Sequence, residues 1–218
     1  MWPFLRRIQQ PELELLTHAY RFHYALPETT QEIANVLTRF LDLRYDKTYS
    51  GMVILCIGTD RSTGDCLGPL IGSKLRNRLP PEVEIYGTLD EPVHAVNLND
   101  VLQKINREPK PFILAIDACL GRSESIGYIS IKDGPLRPGT GVNKNLPAVG
   151  DMHIIGIVNV GGFMEYMVLQ NTRLSLVMRM SEIISAALIK TISASFPRNY
   201  SSGDEPIKEY TNPDKSLR

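Results

Sequence analysis

The chain has 218 residues, enough for one domain and an appendage. Hydrophobic residues make up 43% and charged residues 22%, which excludes a low-complexity polymer and fits a soluble protein with a full core. Lys+Arg and Asp+Glu both total 24, so the formal net charge is zero and a generally basic nucleic-acid surface is excluded.

Residues 1–50 read as a helical appendage packed on the main domain. The opening Met-Trp-Pro-Phe-Leu-Arg-Arg has no apolar run behind a basic one and no small-residue cleavage site, so no secretory signal is expected. Pro11 and Pro27 punctuate the region. Thr29, with Glu32 three residues later, has the pattern of a capping box. Behind it Ile33, Val36, Leu37, Phe40 and Leu41 repeat at three and four, one apolar stripe on a helix.

From residue 52 the rhythm changes. Met52 to Ile57 is a continuous apolar run, as a strand buried on both faces requires. A turn-rich stretch, Gly58 to Asp65, leads into a helical pattern with Leu67, Leu70, Ile71 and Leu75, and Pro69 suits its first turn. Val83 to Thr88 reads as a strand, Val101, Leu102 and Ile105 mark a helix, and Pro111 to Ala118 is a third apolar strand. Ile126 to Lys132 alternates as a half-exposed strand does.

Residues 133–150 are rich in Gly, Pro and Asn and form a long loop of the kind that is usually functional. Met152 to Val160 is another buried strand, and a long helix runs from about Thr172 to Phe196. Arg179, Glu182 and Lys190 interrupt its apolar window, which argues for a packed helix and against a membrane span. Residues 197–218 form a polar tail expected to be disordered. The expected fold of residues 51–196 is α/β, three layers, with a mostly parallel sheet covered by helices on both faces.

In such a sheet ligands bind beyond the carboxyl ends of the strands. Asp65 follows the first strand and Asp117 closes the third, and an acid ending an apolar strand is costly unless paired, hydrogen-bonded or working. Asp60 stands in the same turn as Asp65, as a loop brace or substrate contact. Asp90, Glu91 and His94 follow another strand, where a structural role is favoured. The turn lacks the Gly-Lys-Ser/Thr ending of a phosphate loop and the spacing of a dinucleotide site. Three scattered cysteines, at 56, 66 and 119, make neither a disulfide framework nor a zinc cluster and read as inert thiols of a reducing, cytoplasmic compartment.

Gly64-Asp65-Cys66-Leu67-Gly68-Pro69 resembles the Pro-Asp-Ala-Leu-Gly-Pro motif of the spore germination protease. Ala115-Ile116-Asp117-Ala118 resembles its Ala-Ile-Asp-Ala motif, and Pro138-Gly139-Thr140-Gly141-Val142-Asn143-Lys144 is similar to its Pro-Gly-Ser-Gly-Val-Gly-Asn-Lys stretch. Order and approximate spacing agree across residues 51–196. As a whole the chain is similar to the YyaC-type sporulation proteins of endospore-forming bacteria. The hydrogenase maturation endopeptidases are more distant, with a metal ligand pair falling on Asp65 and Asp117. Their third ligand, a histidine, belongs near residues 140–146, where this chain has Thr-Gly-Val-Asn-Lys-Asn-Leu.

The resemblance implies a fold of the hydrogenase-maturation-protease type and a peptidase with Asp65 and Asp117 as catalytic dyad. Asp60, Asn143 and Lys144 are the expected substrate contacts, with no metal and no cofactor. Two carboxylates in a partly dry cleft share one proton, so one activates water while the other supports the carbonyl oxygen. The implied partner is a protein or peptide, small acid-soluble spore proteins being the relative's substrates. No nucleic acid or membrane partner is expected, and homo-oligomerisation stays open. The implied location is the cytoplasm of a sporulating cell, forespore or mother cell. Two alternatives remain: a noncatalytic sporulation factor keeping the fold as a binding module, and a metal-dependent maturation endopeptidase.

Overall fold

The computed structural model describes residues 18–139 and 146–196. Its element order is β1 (Tyr20–His23), α1 (Thr29–Arg44), β2 (Met52–Cys56), α2 (Leu67–Leu75), β3 (Val83–Tyr86), α3 (Leu98–Ile105), β4 (Phe112–Gly121), β5 (Tyr128–Asp133), β6 (Met152–Val160), α4 (Glu165–Gln170) and α5 (Leu174–Ser195). The strands form one sheet in the order β1-β5-β6-β4-β2-β3. The four strands from β3 to β6 in that order run parallel, while β5 is antiparallel to β6 and β1 to β5. The fold is α/β.

All five residues of β2 are buried because both sheet faces are covered. Met52, Ile54 and Cys56 join the core that includes α1, α2 and α5, whereas Val53 and Leu55 join the one that includes α3. The same alternation puts Phe112, Leu114 and Ile116 of β4 on the first face and Ile113 and Ala115 on the second. The next residue on that second face is Asp117.

β4 outruns β2. The last pair between them is Cys56 with Ile116, and β4 continues to Gly121 paired with β6, Asp117 standing opposite Ile155. Asp117 is thus the first residue past the end of β2. Leu136 and Val149 exchange both backbone hydrogen bonds at 2.8 Å, closing the base of the long loop.

Three features differ from the sequence reading. Residues 20–23, placed in a helical appendage, form an edge strand of the sheet. Tyr20 and Phe22 pack against the core, while the Arg21 guanidinium lies 4.8 Å from the centre of the Tyr128 ring. The Thr29 capping box does not form: Thr29 is the first residue inside α1, and its hydroxyl donates to the carbonyl of His23 at 2.7 Å. The short helix α4 was not anticipated, because none of its residues is buried and no apolar stripe marks it. No helix among the described residues is long and apolar enough to cross a membrane.

Candidate active site

The turn after β2 is built around glycines. Gly58 has a φ of +138°, and a Cβ there would meet the Asp65 carbonyl oxygen at 1.9 Å. A Cβ at Gly68 would meet the Ile57 carbonyl oxygen at 2.2 Å. These two bare backbones let the start of α2 press onto the end of β2. The Thr59 N–H donates to the Asp65 carbonyl at 3.2 Å and the Asp65 N–H to the Ser62 carbonyl at 3.0 Å. Asp65 lies in the 3-10 turn Gly64–Cys66, immediately ahead of α2, and is half-buried.

Asp117 is only 8% exposed. One carboxylate oxygen accepts the Ala118 N–H at 2.8 Å. Burial pushes its pKa well above the usual carboxylate range and the negative charge of Asp65 raises it further, against the smaller opposing pull of the Ala118 N–H. The buried acid therefore resists ionising more than a solvent-exposed carboxyl does.

Two clefts meet at these acids. One, of about 290 Å³, runs along the overhanging end of β4, past Ala118, Cys119 and Leu120 to Leu136 and Arg137. The other, of about 440 Å³, is walled by Thr59, Arg61, Ser62, His94, Val96 and Tyr166 among others. Asp65, Asp117, Gly139 and Leu169 belong to both. The acids thus stand where one open groove passes from the β4 side to the Tyr166 side. Leu169 is held there because Gly64 has no side chain: a Cβ would meet its Cδ2 at 2.8 Å.

Among the other residues singled out in the sequence, Asp60 is exposed, and the cleft wall beside it is formed by Thr59, Arg61 and Ser62. Asn143 and Lys144 lie outside the described residues. Asp90 and Glu91 are exposed and pair with Arg76 at 3.5 and 3.7 Å, whereas His94 reaches the cleft. His153 is buried, its Nδ1 2.8 Å from the Gly134 carbonyl oxygen. Arg137, Tyr166 and Leu169 were not anticipated; each reaches the acids only through the fold, from segments distant in the chain.

The thiols are poor nucleophiles. Burial raises the pKa of Cys56 and of Cys66, and burial with the charge of Asp117 lifts Cys119 to about 11. Among the described residues no three His, Cys, Asp or Glu side chains converge as a metal-binding group, and residues 140–145 contribute none of those types. Two acids fall short of the three protein ligands of a catalytic zinc site.

The family model described as "Protein of unknown function (DUF1256)" matches residues 21–187. A curated relative, the uncharacterized protein YyaC of Bacillus subtilis (strain 168), is 58% identical over 141 residues, covering 64% of this chain and 69% of its own length. Among solved structures, the NiFe hydrogenase maturation protease HycI from Thermococcus kodakarensis KOD1 aligns with a TM-score of 0.49 at 17% identity, over 72% of this chain and 99% of that one. With more than half of its length matched by that model, the chain belongs to the DUF1256 family.

Proposed function

We propose that the protein is an endopeptidase of the sporulating cell whose Asp65 and Asp117 work as an acid–base pair on water and a peptide bond. The observation that carries this reading is that Asp65 and the buried Asp117, whose carboxyl is pushed towards its protonated form by burial and by the charge of Asp65, line the same two clefts. The motif resemblance to the spore germination protease supports it independently.

In the reaction Asp65 takes a proton from water as the water oxygen attacks the carbonyl carbon. The carbonyl π pair moves onto oxygen, which Asp117 stabilises by donating its hydrogen bond. Collapse re-forms the carbonyl and breaks the C–N bond, and the departing amine takes the proton that Asp65 had gained. Water is consumed, a carboxylic acid and an amine leave, and the dyad returns to its starting state.

The substrate class is protein, with small acid-soluble spore proteins the first to test. Incubation of the full chain with a spore-protein extract, followed by mass spectrometry of the fragments, is the experiment. Native protein is expected to generate fragments that Asp65→Asn and Asp117→Asn do not. Folded variants that cleave as well as the native protein would remove the acids from catalysis, and a native protein that cleaves nothing would favour a binding module instead.

A further inference from the structure

The groove holds one more polar group suited to peptide chemistry. His94 lines the same 440 Å³ cleft as Asp65 and Asp117. Its position is fixed from three sides. The preceding residue, Val93, extends the sheet by pairing with Ile57, and its carbonyl accepts the Gly58 N–H at 2.8 Å. The His94 N–H donates to Asn97 Oδ1 at 2.8 Å, and Asn97 Nδ2 donates in turn to the Pro92 carbonyl at 2.9 Å. The His94 carbonyl accepts the N–H groups of Asn97 and Leu98. The turn carrying the imidazole is therefore hydrogen-bonded to the first residue of the turn carrying Asp65.

The ring itself is also oriented. Nδ1 accepts the N–H of Val96 at 3.3 Å. A ring nitrogen that accepts carries no proton, so in this state the proton is on Nε2. No group among the described residues is hydrogen-bonded to Nε2. The site thus presents a pre-oriented imidazole in the cleft of the dyad, and Asp65, Asp117, Arg61 and Tyr166 are the other charged or titratable groups on that wall.

We infer that His94 is a substrate-contacting residue whose Nε2–H donates a hydrogen bond to the scissile carbonyl oxygen, as the second donor beside Asp117. This rests on the dyad reading of the same site. One acid proton leaves a developing oxyanion with one donor, whereas acyl-transfer sites commonly supply two. The hydrogen bond strengthens as charge moves onto oxygen, and no proton leaves the imidazole, so the balance of the reaction is unchanged. The gain falls on the transition state rather than on substrate binding.

The test uses the full chain with a peptide library made by chymotryptic digestion of a denatured bacterial proteome, cleavage being read by mass spectrometry. The best-cleaved sequence is then synthesised for kinetics. His94→Ala is expected to lower kcat about 100-fold with KM changed little, as for other losses of an oxyanion donor. His94→Gln, whose amide N–H lies near the place of Nε2, restores much of the rate. His94→Asn, which replaces only the Nδ1 contact with Val96, does not. If Asn rescues and Gln does not, or if all three variants match the native kcat while Asp65→Asn and Asp117→Asn are inactive, His94 is structural and the dyad reading stands without it. If the aspartate variants cleave like the native protein, or if the native protein cleaves nothing, the dyad reading falls and takes this assignment with it.

Discussion

Gly58 and Asp65 are locked together through backbone alone: a single carbon added to Gly58 would sit 1.9 Å from the Asp65 carbonyl oxygen. Gly58→Ala cannot be absorbed by a side chain swinging away, and its φ of +138° disfavours any L side chain besides. The variant is expected to lose on the order of 3 kcal/mol in urea unfolding and to lose cleavage activity while folded. Gly134→Ala is the control. It also has a positive φ, +86°, but a Cβ there meets nothing within 4 Å, so about 1 kcal/mol is expected.

Asp117 makes stability depend on pH in a defined direction. Its pKa is raised on folding, so its contribution is fully present below the ordinary carboxylate value of 3.8 and is lost as pH rises through the folded pKa. Native protein is therefore expected to lose stability over that rise relative to Asp117→Asn, which has nothing to ionise. The measurement is a urea midpoint series from pH 4 upward for both proteins. Parallel curves would show that the carboxyl titrates alike in the folded and unfolded chain.

The cysteines should resist alkylation in the folded state. Cys119, beside Asp117 and partly exposed, has a pKa near 11 against an ordinary 9.0, so its thiolate is about 100-fold scarcer at neutral pH. Iodoacetamide at pH 7.5 is expected to label it about 100-fold more slowly than in urea-unfolded chain, and to label Cys56 last. Peptide mapping over time reads both rates.

Thr29 ties α1 to β1 through its hydroxyl on the His23 carbonyl, at a fully buried position. Thr29→Val keeps the shape and removes the shorter of the two bonds to that carbonyl, leaving it the Leu26 N–H at 3.2 Å. A loss of about 1–2 kcal/mol is expected in urea unfolding. Cleavage should be unaffected, since Thr29 lines neither cleft.

The central parallel strands were readable because each is a largely apolar run bounded by turn residues, and Met52 to Cys56 shows the reason: both faces are covered. Asp65 and Asp117 drew attention in the sequence because one follows and the other interrupts such a run. β1 was not, since a four-residue edge strand offers only Tyr20 and Phe22 as alternating apolar positions, too short a pattern beside a sixteen-residue helix. The groove was not either. Arg137, Tyr166 and Leu169 come from separate segments, and only the sheet's order brings them to one edge.

One irregularity in β6 has a dynamic consequence. Its register to β4 shifts between Cys119 and Leu120, whose partners are Ile157 and Asn159. Asn159 Nδ2 donates to the Val168 carbonyl at 3.3 Å and to the Thr172 hydroxyl at 3.2 Å. These bonds fasten a helix that buries no residue of its own, yet carries Tyr166 and Leu169 onto the cleft wall. Polar bonds of about 1 kcal/mol each are a weaker fastening than the apolar contacts within the sheet. With only Leu169 packed on the core besides, residues 161–172 are expected to open below the cost of global unfolding, their amides exchanging with solvent deuterium before those of β4. Such opening would move one wall of the groove and leave the strand that carries Asp117 in place.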